Sequence, residues 1–93
     1  MITTKRLVIR GQVQGVGYRY AMTGVARRLS IKGWVRNRRD GSVEALVQGP
    51  LAAVDQMVEW ARRGPNGASV SSVEIFTAET AENPADFRQL PTW

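Results

Sequence analysis

Twice along this chain the spacing of apolar residues changes from every second position to every third or fourth and back. That order restricts the fold more than any other feature. Arg6–Val13 begins with Leu7 and Ile9 alternating with charged or outward residues, and is predicted as a strand. Tyr18, Met22, Val25, Ala26 and Leu29 then fall on a single helical stripe. Arg27 and Arg28 sit in that helix's last turn, where the dipole favours cations. Gly24 works against the helix, by about 1 kcal/mol relative to alanine.

Lys32–Arg38 reads as a second strand and Ser42–Gln48 as its return, with an Asp40-Gly41 hairpin turn between them. Val43, Ala45 and Val47 share one face of the return strand. Pro50 suits the first position of a second helix, which is expected to bury Leu51, Val54, Met57, Val58 and Ala61. Arg62 and Arg63 suit its last turn, Gly64 its cap and Pro65 its stop. Val70–Ala78 is a fourth strand with Val73, Ile75 and Thr77 alternating, and Asp86–Leu90 reads as a short edge strand. The predicted fold is α+β, the ferredoxin-like βαββαβ arrangement with two helices packed on one face of an antiparallel sheet. No repeat, linker or low-complexity run interrupts it, so residues 1–93 are expected to form a single domain.

This arrangement hosts many unrelated functions, and the chemistry must come from particular residues. Cysteine is absent, which excludes thiolate nucleophiles, zinc ribbons and disulfides. Histidine is absent too, which excludes imidazole general bases and Ser–His–Asp triads. The acids, Asp40, Asp55, Asp86 and five scattered glutamates, form no recognisable cluster for a two-metal site. The net charge of +5 favours anionic partners such as nucleic acid, acidic lipid or phosphorylated small molecules.

The segment that carries chemistry is Gly11–Tyr20, GQVQGVGYRY. Its glycines bracket a turn from a strand into a helix, and Arg19 lies in that helix's first turn. Gly15 and Gly17 remove side chains that would keep an anion off the backbone, and successive N–H groups in such a turn converge on one point. The helix start adds unpaired N–H groups and a positive dipole end, and a guanidinium supplies a forked donor for phosphate or carboxylate oxygens. A cation placed there is repelled by the dipole unless an anion compensates. The alternative is a packing turn with a solvated Arg19.

With those residues in hand, the chain resembles the acylphosphatases. The resemblance lies in VQGVGYR at Val13–Arg19, GWVRNRRDGSVE at Gly33–Glu44, the Gln48-Gly49 pair and GPNGASV at Gly64–Val70. It spans roughly residues 6–78 and does not extend to the tail after Ala78. It implies a small ferredoxin-like enzyme that hydrolyses carboxyl–phosphate anhydrides to a carboxylate and orthophosphate. It further implies that Arg19 binds the phosphoryl group, that the backbone amides of Gly15, Val16, Gly17 and Tyr18 form the cradle, and that Asn37 positions the attacking water. Taken without the resemblance, Asn37 in a strand reads as structural.

Such a reaction suits the composition. The leaving group is a carboxylate, with an ordinary pKa near about 4, and departs without a proton donor. Positioning and electrostatics then suffice, and no metal or cofactor is expected. Tyr18 and Trp34 read as packing residues, and Arg36, Arg38 and Arg39 as a solvated face near the hairpin. A nucleic-acid-binding module fits the charge and the strand order, but no RNP1-like stretch is present and the aromatics do not recur on the central strands. A non-catalytic anion sensor would need the arginine but not the water-positioning amide. The expected partner is therefore a small-molecule acyl phosphate, with neither nucleic acid nor membrane. No stretch has the length of an export signal or a membrane span, so a cytoplasmic monomer is the default expectation.

Overall fold

The computed structural model describes residues 2–78 and 84–93. The elements are β1 (Ile2–Gln12), α1 (Tyr18–Arg28), β2 (Lys32–Asn37), β3 (Val43–Pro50), α2 (Leu51–Arg63), β4 (Ser69–Thr77) and β5 (Phe87–Gln89). They form one five-stranded sheet in the order β4-β1-β3-β2-β5. The first four strands are antiparallel neighbours in the ferredoxin-like order. The sheet is nevertheless mixed, where an antiparallel one was expected, because β5 joins β2 in parallel. The reason is directional. A chain that reverses after β4 runs the same way as β2, and an edge strand docking there must lie parallel to it.

The alternation of Leu7 and Ile9 places both side chains in the core, with Val35, Val43, Ala45, Val47 and Phe87 from the other strands. Met22 and Ala26 of α1 and Val54, Met57 and Ala61 of α2 close over them, each with no accessible surface. Each large apolar side chain so enclosed contributes about 1.5–3 kcal/mol relative to remaining exposed. Leu51 departs from its expected place and is 51% exposed. Helical side chains lean toward the N-terminus, so one on the first residue projects past the helix start instead of onto the sheet. Pro50 is the N-cap of α2 and not its first residue, since its ψ of 146° is still that of the strand.

The opposite face of the sheet carries a charged cluster. Glu44 is buried there between Arg6, at 3.1 Å, and Arg36, at 2.8 Å. The Arg6 guanidinium lies 4.4 Å from the Phe76 ring centroid, and that of Arg36 lies 4.6 Å and 4.5 Å from the rings of Trp34 and Trp93. Arg36 is therefore not part of a solvated face, as its sequence neighbours suggested. Arg38 is half-buried, and only Arg39 of the three is exposed.

Candidate active site

Topology decides which loops meet. β1 and β2 are each antiparallel to β3, so they point the same way, and β5 is parallel to β2. Their C-terminal ends therefore share one edge of the sheet. The loop after β1, Asn37 at the end of β2 and Gln89 at the end of β5 all arrive there. Val13, Gly15, Gly17, Tyr18, Arg19, Tyr20, Asn37 and Gln89 line a small pocket of about 130 Å³ at this edge.

The loop is built for open backbone. Gly15 and Gly17 have φ of +74° and +77°, the left-handed region that side-chain-bearing residues adopt only at a cost of about 1–2 kcal/mol. Gly17 is also the N-cap of α1, and among the described residues no side chain caps the helix and no acid lies in its first turn. The first helical bond runs from the Ala21 N–H to the Gly17 carbonyl at 3.0 Å. None of the N–H groups from Gly15 to Tyr20 donates to a carbonyl among the described residues. Unpaired donors and the positive end of the dipole thus lie at a pocket that Arg19 also lines.

Among the described residues, Arg19 makes no ion pair through its guanidinium, and its backbone carbonyl accepts from the Thr23 hydroxyl at 2.8 Å. Asn37 supplies the complementary group. Its side-chain Oδ1 is buried and has no hydrogen-bond partner among the described residues. A buried amide oxygen left in that condition costs about 1–3 kcal/mol, so it marks a place where an O–H or N–H donor belongs. Among the described residues, the lining contains no carboxylate and no imidazole.

Three further contacts hold this arrangement. Gln14 donates both protons of its side-chain amide, to the Arg38 carbonyl at 2.8 Å and the Ser42 carbonyl at 2.9 Å. It fastens the glycine loop to the hairpin that follows Asn37. The Tyr18 side chain is buried, donates to the Ala61 carbonyl at 2.7 Å and packs on Trp60 with ring centroids 5.3 Å apart. Burial pushes that phenol's pKa well above its ordinary value, which suits an anchor between α1 and α2. The hairpin tip is an Asx turn, in which Asp40 Oδ1 accepts from the Ser42 N–H at 2.9 Å and its hydroxyl at 2.6 Å. Those bonds to Ser42, and then the charges of Arg38 and Arg10, lower the Asp40 carboxyl to a pKa of about 2.

The pocket therefore brings together the predicted Gly15, Gly17, Tyr18, Arg19 and Asn37, while Val16 stands in the same loop, half-buried against the core. Sequence reasoning missed Gln14 as a clamp and Gln89 as a wall. Gln14 lay inside the quoted motif, and a long amide side chain beside glycines was the available signal. Gln89 carried none, because its place depends on how β5 pairs.

The sequence and the fold have close counterparts. A family model described as Acylphosphatase matches residues 5–89. The chain is 62% identical over 76 residues to an acylphosphatase of Albidiferax ferrireducens, covering 82% of this chain and 83% of that one. It is 52% identical over 88 residues to an acylphosphatase of Pyrobaculum arsenaticum, covering 94% and 93%. A solved acylphosphatase from Bacillus subtilis superposes with a TM-score of 0.90 at 33% identity, over 97% of this chain and 99% of that one.

Proposed function

The chain belongs to the acylphosphatase family and hydrolyses the carboxyl–phosphate bond of acyl phosphates, and from that premise we propose that water attacks the phosphorus directly at this pocket. The N–H groups of Gly15, Val16, Gly17 and Tyr18 and the Arg19 guanidinium hold the equatorial phosphoryl oxygens while charge redistributes in a loose transition state. The Asn37 Oδ1 accepts one proton of the attacking water and fixes its lone pair in line with the breaking P–O bond. The new bond joins the water oxygen to phosphorus, and the bond to the carboxyl oxygen breaks with its electron pair. The carboxylate leaves unprotonated. The proton lost by the water passes to a phosphoryl oxygen, since no base lines the pocket among the described residues.

The observation that carries this reading is that Asn37, whose Oδ1 is buried without a partner among the described residues, lines one pocket with Arg19 and with residues at the uncapped start of α1. Metal independence follows from the chemistry of the leaving group, which needs neither an acid nor a Lewis acid to depart. The same reading makes residues 1–93 one catalytic domain acting as a cytoplasmic monomer on a small-molecule substrate, without nucleic acid. No described helix is long and apolar enough to cross a membrane. A single turnover of benzoyl phosphate in ¹⁸O-labelled water tests the attack. The label should enter orthophosphate alone, and label in the benzoate carboxyl would mean attack at the acyl carbon.

A further inference from the structure

The segment after β5 reaches back to Asn37. The Leu90 N–H donates to the Val35 carbonyl at 2.8 Å, which carries the β2–β5 pairing beyond Gln89. The Trp93 N–H then donates to the Asn37 carbonyl at 3.0 Å, and the Trp93 carbonyl accepts from the Arg39 N–H at 3.2 Å. The backbone N–H and oxygen of Trp93 are thus both spent on the two residues that flank Arg38. Its ring lies 4.5 Å from the Arg36 guanidinium, which the Trp34 ring also approaches, at 4.6 Å. Arg36 is in turn fixed by the buried Glu44 through bonds of 2.8 Å.

We propose that Trp93 is a positioning residue for Asn37: its ring, seated on the Glu44-anchored Arg36, holds its peptide against the Asn37 carbonyl and so sets where the Asn37 amide points. The proposal rests on the reading of Asn37 as the group that orients water. Asn37 is the last residue of β2, and the chain leaves the sheet at Arg38. Strand ends fray, and the direction of a terminal side chain follows the rotation of its own peptide. Gln14 restrains that end from the loop side, through Arg38, and Trp93 restrains it from the edge side, through Asn37 itself. The ring does no chemistry. Trp93 as a whole is 64% exposed and contributes little to the core, so removing the ring should leave the fold in place while freeing the strap.

The experiment compares wild type, Trp93→Ala, Trp93→Phe and Asn37→Ala on benzoyl phosphate, with inorganic phosphate as a competitive inhibitor. An error of 1 Å in the placement of a reacting group costs up to about 10²-fold, and a strap at one end should cost about tenfold. Trp93→Ala should therefore lower kcat by about tenfold and leave the phosphate inhibition constant within about twofold, because the cradle is untouched. Trp93→Phe, which keeps a ring for Arg36, should recover most of the loss. A Trp93→Ala kcat within about twofold of wild type overturns the proposal, as does a parallel loss of kcat and phosphate affinity. If Asn37→Ala turns over like wild type, the reading of Asn37 fails and the proposal with it. A dead Asn37→Ala beside a normal Trp93→Ala removes the strap alone.

Discussion

Replacing Gln14 by methionine separates the clamp from the chemistry. The side chain reaches out from the loop, lies partly buried, and donates to two carbonyls. A net intramolecular hydrogen bond contributes about 0.5–1.5 kcal/mol, so the pair should be worth about 1–3 kcal/mol. Each acceptor keeps a second donor: the Arg38 carbonyl still takes the Gly41 N–H at 3.1 Å, and the Ser42 carbonyl the Arg38 N–H at 2.9 Å. Neither is stranded, which places the loss in the lower half, about 1–2 kcal/mol. For a domain of this size that lowers Tm by roughly 4–16 °C. Activity should suffer as well, because the clamp sets the spacing between cradle and hairpin. A shift of about 1 Å there costs up to about 10²-fold in kcat. Thermal melts and steady-state kinetics on the same preparation report both quantities. Gln14→Glu should be worse than Gln14→Met, since a carboxylate would face two carbonyl oxygens. A Gln14→Met variant with unchanged Tm and kcat would refute the reasoning.

Two other outcomes are expected. Gly17→Ala puts a Cβ into open space but at φ +77°, so it should cost about 1–2 kcal/mol by denaturant unfolding, from backbone strain alone. It should also weaken inhibition by phosphate, and a fully stable variant with normal inhibition would contradict the open-backbone account of the loop. The Asp40 carboxyl has a folded pKa of about 2 against an ordinary 3.8, so its charged form is favoured by folding. That contribution is complete above the ordinary value and is lost as pH falls toward 2. Unfolding free energy should therefore drop more steeply between pH 5 and 2 in wild type than in Asp40→Asn, and matching slopes would exclude the effect.

Much of this architecture could be read from periodicity. The alternation at Leu7 and Ile9, the stripe through Met22 and Ala26, and the Asp40-Gly41 turn each specify local structure, and the order of the elements then leaves little choice of fold. The boundaries erred at the start of β1, read from Arg6 but observed from Ile2, and where two elements abut, as at Pro50, whose fixed φ suits a strand end, an N-cap and a first helical turn alike. What escaped was non-local. Arg36 looked solvated among its arginine neighbours, because the buried Glu44 that neutralises it lies across the hairpin, and the two tryptophans that cover it come from β2 and the far end of the chain. The parallel docking of β5 depends on the direction of a distant strand, which no three-residue segment encodes. Arg19 and Asn37 stand 18 positions apart, and only the resemblance joined them; the topology supplies the physical reason, since β1 and β2 end at the same edge.

The central claim is that Arg19 holds the phosphoryl group while Asn37 acts on the water. Phosphate release from benzoyl phosphate in EDTA, by wild type, Arg19→Ala and Asn37→Ala, tests it most directly when each is also titrated with inorganic phosphate. Removing one such group should cost about 10²–10³ in rate in either variant. Arg19→Ala should lose phosphate inhibition along with activity, while Asn37→Ala should lose kcat and keep the wild-type inhibition constant. An Asn37→Ala enzyme with undiminished kcat, or one that loses phosphate affinity as fully as Arg19→Ala, would contradict the division of labour argued from the pocket.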